Sequence, residues 1–309
     1  MKKISVIIPH LNEKNEIIET IKSIRETSDS NMVDIIAIDD CSMDCVNLDS
    51  FSGVKQIRNE KRMGVDYSRN MGVEISTTPY ALIIDGHMRF RNDNWANKMI
   101  DYIDGNNQVL WCTICCGLGY GVFDINKHMG KYFAADLKLL TDQEKNRPCR
   151  NIIEPKWCSE KPGDEYSVSC ILGANYFFSK EWFMHIHGLK GLVSWGSSEP
   201  ALSLKSYLAG GDCKITKKIE IGHVFRDNAP YETPVSSLIY NKAYLLKTIF
   251  PKELEDKLMA YVPKDANFNN AMKIINANMA EIESERAYYQ SIFKCSIYDF
   301  CKRFNIEVP

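Results

Sequence analysis

The chain has 309 residues, 45% of them hydrophobic, enough to fill one large α/β interior or a core with a smaller annex. Its formal net charge of -2, from 38 basic and 40 acidic side chains, excludes a global field that would draw it onto nucleic acid or an anionic membrane. Eleven cysteines, an odd number in a long chain whose start reads as a strand and not a secretory signal, argue for reduced thiols and a cytoplasmic setting; no apolar run approaches the roughly 18 to 20 residues that span a bilayer.

Short β-branched runs at Ile4 to Ile8, Val33 to Ile38, Val54 to Ile57 and Tyr80 to Ile84 alternate with amphipathic stretches. One such stretch carries Ile17, Ile18, Ile21 and Ile24 on a single face, and another reads GVDYSRNMGVEIS. Continuous apolar strands alternating with helices predict a mainly parallel, Rossmann-like α/β sheet covered on both sides. Ligands of such sheets sit outside the carboxyl ends of the strands. Polar clusters fall at those ends: Pro9 to Glu13, Asp39-Asp40, Asn59 and Asp85-Gly86-His87.

The run VLWCTICC places Cys112, Cys115 and Cys116 in an apolar strand, which favours core packing over zinc binding because no second pair stands at matching spacing. Cys41 and Cys45 are expected to pack likewise. Residues 117 to 169 show no clear pattern, and an acceptor-side insertion or lid is expected there. Strand and helix signals return at Cys170 to Phe178, from Lys180, at about Glu199 to Ala209 and near Ile219 to Gly222. Beyond Pro234 the text turns helical, with Met272, Ile275, Met279, Ile282, Tyr289 and Phe293 spaced for one packing face. The expected division is a catalytic domain over 1–234 and a helical extension over 235–309.

Asp85 and His87 flank a glycine where the backbone leaves a strand, so both side chains can converge on one cation. A carboxylate with imidazole suits Mn2+ better than Ca2+, and such an ion offsets charge developing on a nucleotide diphosphate. Taken alone, an Asp-x-His triplet is usually an ordinary turn. Late in the chain Gly222-His223-Val224-Phe225-Arg226 ends another strand; His223 can complete a metal shell and Arg226 can meet phosphate. A core histidine beside a surface arginine is the competing reading.

The segments SVIIPHLNE, IDDCSMD, RNEKRMGVDYSRNMGVE and DGH resemble the nucleotide-binding half of family-2 glycosyltransferases of the GT-A fold. WGSSE and GHVFR followed by Pro230-Tyr231 resemble the catalytic domain of polypeptide N-acetylgalactosaminyltransferases more closely. The resemblance covers about residues 3 to 245 and implies a UDP-sugar donor with Mn2+, or Mg2+, held by Asp85, His87 and His223. It implies further that Pro9, Asn12 and Glu13 lie beside uridine, that Asp39 or Asp40 faces the uracil edge, and that Arg69 approaches the diphosphate. Asn59, Gly64, Gly86, Arg226 and Tyr231 fall in the same donor-side motifs.

Retaining relatives carry Glu-Asn where this chain has Ser198-Glu199, whereas inverting members carry Glu-Asp, so Glu199 takes the place of their general base. The resemblance therefore favours inversion, with Glu199 accepting a proton beside Trp195 at a helix start. Ser198 as a helix cap with Glu199 in an ordinary first turn is the structural alternative. Transfer of a hexose or N-acetylhexosamine to a glycan or protein hydroxyl is the expected activity. The alternatives are a nucleotide-sugar-binding protein without transferase activity and a transferase acting on modified DNA bases, which the absent basic surplus disfavours. Nucleotidyl transfer calls for a glycine-rich phosphate loop after the first strand, and Pro9-His10-Leu11-Asn12 is none.

Overall fold

The computed structural model describes residues 3–44, 46–144, 151–173 and 175–309. Twelve strands and ten α-helices are present among them. In chain order they are β1 (Ile4–His10), α1 (Glu16–Thr27), β2 (Val33–Asp39), β3 (Val54–Arg58), α2 (Val65–Ile75), β4 (Tyr80–Ile84), β5 (Met88–Phe90), α3 (Trp95–Gly105) and β6 (Val109–Leu118). Then follow β7 (Gly130–Tyr132), β8 (Ala135–Leu139), β9 (Ile153–Trp157), β10 (Glu165–Ser167), β11 (Asn175–Ser179), α4 (Lys180–His185), α5 (Ser198–Leu208) and β12 (Asp212–Val224). Helices α6 (Val235–Ile249), α7 (Lys252–Ala260), α8 (Ala266–Ala277), α9 (Met279–Ile292) and α10 (Ile297–Phe304) close the chain.

The main sheet has the order β10-β12-β6-β11-β4-β1-β2-β3, with β5 added to β12 and β7 to β6. β4, β1, β2 and β3 run parallel, as do β6 and β12, and β11 is antiparallel to both its neighbours. The expected mainly parallel sheet with helices on both faces is therefore present. β1 shows why its run is continuously apolar: Val6 and Ile8 join Ile17, Ile21 and Ile24 of α1 on one face, while Ile7 joins Val73 of α2 on the other.

The carboxyl ends of β1 to β4 lie side by side. Asp40 donates its backbone N–H to the His10 carbonyl, and Asn59 donates to the Asp39 carbonyl, so the loops after β1, β2 and β3 stay in one plane beyond the sheet edge. Polar clusters far apart in sequence thereby meet at one crevice.

Cys112, Cys115 and Cys116 are buried in β6, and burial pushes the Cys112 thiol up to about 12 and the Cys116 thiol to about 11. These are protonated core thiols. Cys41 does not follow them: it sits half-buried in the turn after β2 with φ +66, near the Glu60 carbonyl, because the chain must reverse there to bring Asp40 against the next loop. Cys45 lies outside the described residues.

The stripe from Met272 to Phe293 belongs to two helices, α8 and α9, that break at Asn278. Ile275, Ile282 and Tyr289 are buried all the same, because α8 and α9 both pack on α6. α6 itself, through Tyr240, Ala243 and Leu246, belongs to the same apolar cluster as β6 and β11. Within 117–169 the chain builds β7 to β10, of which β8 and β9 form a separate two-stranded sheet.

Candidate active site

Asp85 follows β4 and His87 precedes β5, so the two side chains leave the backbone on either side of Gly86. The antiparallel register of β5 on β12 sets His223 opposite Met88, one residue from His87. His87 Nε2 and His223 Nε2 are 3.1 Å apart, and His223 Nε2 is 3.6 Å from Asp85 Oδ2. Among the described residues these three form a group whose ligand atoms all lie within 4.8 Å of one another. Two imidazole nitrogens face each other, and among the described residues His223 Nδ1 has no hydrogen-bond partner. That donor set fits a divalent transition ion.

The electrostatics agree. Burial lowers the His223 imidazole below its ordinary value, with Asp85 only partly restoring it, which leaves a neutral ligand. Burial alone would raise the Asp85 carboxyl; the hydrogen bond to His223 and the charge of Arg69 outweigh it and hold the group well below the usual carboxylate range.

Glu13 lies 3.0 Å from His87 Nδ1 and accepts two hydrogen bonds of 3.0 Å from the Arg226 fork. A carboxylate on the far nitrogen of a metal-binding imidazole fixes its tautomer and ring orientation. Gly86 makes this contact possible, since a Cβ there would stand 2.9 Å from Glu13 Cγ and 3.2 Å from His10 Cβ. Gly86→Ala is therefore expected to push Glu13 off His87 and weaken binding of a divalent transition ion by about tenfold or more, as read by calorimetry.

A cavity of about 360 Å3 opens beside this cluster, walled by Pro9, Glu13, Asp40, Gly64 and Arg69, and closed over by Arg226 and Tyr231. The Arg62 guanidinium sits 5.3 Å over the Tyr231 ring and donates to the Glu232 carbonyl, holding the 226–232 segment against the cavity mouth.

Three of the residues expected on the nucleotide side hold the loops around this cavity in place. Asp39 accepts from Ser42 N and pairs with Arg58, so of the two aspartates it is Asp40 that reaches the wall. Asn59 donates to Asp40 and to Ser68, and Asp40 also receives the Met63 and Gly64 N–H groups. Asn12, at φ +54, accepts from Met43 N and donates to the Pro230 carbonyl, tying the loop after β1 to the late segment.

Arg69 is only 4% exposed. Its guanidinium donates to Asp85 and Ser198, lies 3.4 Å from Asp66 and 3.8 Å from Glu199, and so joins metal ligand, helix start and carboxylate in one network. Asp66, which no sequence signal marked, is pushed up to about 6 by burial and accepts from the Ser198 hydroxyl at 2.6 Å. Ser198 thus lies inside the first turn of α5 and is not its cap; Ser197 holds that position.

Glu199 sits in the same turn, where the helix dipole favours its carboxylate. Burial raises its carboxyl above the ordinary value, and Arg69 offsets part of the rise. It borders a second cavity of about 440 Å3 that also touches Asp85, His223 and Arg69. Trp195, 47% exposed, lines both cavities at their junction. Its loop is anchored by Asn241 of α6, which accepts from Val193 N and donates to the Val193, Trp195 and Gly196 carbonyls.

Residues 5–155 match the family model described as glycosyl transferase family 2. The chain is 27% identical over 237 residues to human polypeptide N-acetylgalactosaminyltransferase 16, spanning 74% of this chain and 41% of the relative, and 26% identical over 243 residues to human polypeptide N-acetylgalactosaminyltransferase 10, spanning 74% and 39%. It therefore spans about two fifths of the length of these curated relatives. Among solved structures it is similar to GalNAc-T7 with UDP, GalNAc and Mn2+, at TM-score 0.73 and 16% identity over 98% of this chain and 57% of that one. It is similar also to S. aureus TarS 1-349 in complex with UDP-GlcNAc, at TM-score 0.54 and 12% identity over 99% and 93%. The chain thus has a GT-A fold, carries a region that matches glycosyl transferase family 2, and resembles the catalytic domains of polypeptide N-acetylgalactosaminyltransferases.

Proposed function

We propose that the chain is a metal-dependent glycosyltransferase that moves a hexose or N-acetylhexosamine from a UDP-sugar to the hydroxyl of a glycan or protein acceptor. The observation that carries this reading is the cluster of Asp85, His87 and His223 on the wall of the first cavity, with Asp85 and His223 also bordering the second and Glu199 on the second's wall. The relatives' names and the ligands of the neighbouring structures support the choice of donor and of Mn2+, with Mg2+ as substitute.

In this reading the first cavity takes the nucleotide, with Pro9, Asp40 and Gly64 along its wall and Arg226 and Tyr231 above it. Asp85, His87 and His223 would hold the ion, which when bound neutralises charge on the departing diphosphate. Glu199 accepts the proton of the acceptor hydroxyl as its oxygen bonds to the anomeric carbon. The bond from that carbon to the diphosphate breaks with its electron pair on UDP, and because the hydroxyl attacks from the opposite face the anomeric configuration inverts. Arg69 keeps Asp85 and Glu199 in a fixed mutual position. Trp195 excludes water at the reaction centre.

The segment 117–169 belongs on the acceptor side in this scheme, since Ile153, Glu154 and Trp157 line the second cavity, and 235–309 forms the helical extension to a catalytic domain over 1–234. Among the described residues no helix is long and apolar enough to cross a membrane. A reducing, cytoplasmic setting, in which the chain's cysteines stay thiols, belongs to the same proposal. A screen of UDP-sugars with Mn2+, read as UDP release with and without acceptors, tests the proposal. One donor should release UDP above the spontaneous rate; silence for every donor would reduce the protein to a nucleotide-sugar binder.

A further inference from the structure

The second cavity has a built aromatic wall. Trp157, at the end of β9, is 52% exposed, yet its ring is not loose: it packs on Tyr132 at 4.8 Å between centroids. Tyr132 packs edge-on against Phe225 at 5.4 Å, Phe225 against His223 at 4.4 Å, and His223 against His87 at 4.7 Å. Gly117 lets this ladder pass, because a Cβ there would come within 3.1 Å of both the Phe225 and Tyr132 rings. A half-exposed indole is thus held at a fixed place relative to the histidines of the candidate metal site.

Polar groups share the cavity with it. Glu154 borders the cavity from the same strand and accepts from Asn151 at 3.1 Å, and Glu199 stands at the inner end. An indole face with carboxylate and amide groups around it complements a pyranose ring, whose C–H face stacks on an aromatic plane while its hydroxyls hydrogen-bond at the rim.

An extended peptide fits the same place less well. Leu137 of β8 sends its N–H away from β9 to the Ser169 hydroxyl, so Leu137 and its register partner Pro155 form a pair that points both backbones outward. The missing N–H of Pro155 therefore falls on the outer edge of β9, in the middle of the strand. An added peptide strand would lack a donor there.

From this juxtaposition we propose that the second cavity is the acceptor site and that its acceptor is a saccharide, stacked on Trp157 with the reacting hydroxyl directed to Glu199. The inference rests on the glycosyltransferase reading above and names the substrate class of that same enzyme. Tyr132 and Phe225 are positioning residues in it, since they hold Trp157 against the His223 side of the site.

The test uses the full chain with Mn2+ and the UDP-sugar that the donor screen identifies, offered a panel of free oligosaccharides and a panel of serine- and threonine-bearing peptides. Saccharides should raise UDP release above the acceptor-free rate, and Trp157→Ala should raise the saccharide KM about tenfold while UDP affinity, read by calorimetry, stays as in the wild type. Trp157→Phe, which keeps a ring against Tyr132, should give an intermediate KM and serves if the alanine variant does not fold. Acceleration by peptides alone, or an unchanged saccharide KM in both variants, would overturn the saccharide assignment while leaving the transferase reading intact. Loss of Mn2+-dependent UDP binding in the wild type would overturn both together.

Discussion

Replacing His223 by alanine is expected to abolish Mn2+-dependent UDP binding, lowering affinity by at least about a hundredfold in calorimetric titration. Three contacts converge to give this residue its weight. Its Nε2 faces His87 Nε2 at 3.1 Å and Asp85 at 3.6 Å, and its ring is seated on Phe225. With the imidazole gone, Asp85 and His87 alone would have to hold the ion, and the reach across from β12 would be lost. Mn2+-dependent affinity equal to wild type in a folded variant would place the third ligand elsewhere. Circular dichroism distinguishes that outcome from unfolding, since the ring is mostly buried and its removal also leaves space beside Phe225.

Glu199→Gln should leave UDP affinity close to wild type and slow transfer by roughly 10² to 10⁴, the range for loss of a positioned general base. The direction of its pKa supplies a second signature. Burial raises the Glu199 carboxyl, and only the ionised form accepts a proton, so transfer should climb as pH rises through that raised value and level off above it. In Glu199→Gln that limb should disappear. Wild-type turnover in the variant, or the same pH limb without the carboxylate, would remove Glu199 from the base role. It would leave it as a first-turn residue that pairs with Arg69.

Much of the fold was legible because local pattern and tertiary role coincide. β1, β2 and β4 are buried on both faces, so their runs are continuously apolar; β4 keeps its expected bounds, β1 runs on through Pro9 and His10, and β2 through Asp39. Asp85-Gly86-His87 was visible as a strand-end cluster for the same reason. The region 117–169 was not legible: β7 and β10 are three residues each, and β8 and β9 form a small sheet of their own, joined elsewhere by the Ala135–Cys170 bridge, so no repeating period marks them. The break between α8 and α9 escaped notice because Met272, Ile275, Met279 and Ile282 keep helical spacing across Asn278.

At the site, residue types were easier to foresee than their partners. His223 was picked out by its motif, but what brings it to His87, 136 positions away in sequence, is the β5–β12 register. Glu13, expected beside uridine, lines the first cavity and also pairs with His87 and Arg226, contacts that its motif did not announce. Asn12, Asp39 and Asn59 brace loops around the first cavity, roles that depend on contacts formed only when three strand ends converge. Asp66 carried no signal at all. Its importance comes from burial beneath Ser198 and Arg69, which a helix-surface position in the sequence does not reveal.

The central claim is that Asp85, His87 and His223 make nucleotide binding depend on a metal ion. Titration of the metal-free chain with UDP, repeated after addition of Mn2+ and again after excess chelator, tests it most directly. The account predicts binding that appears with Mn2+ and disappears with the chelator; UDP affinity unaffected by either, or no binding under any of the three conditions, would contradict it.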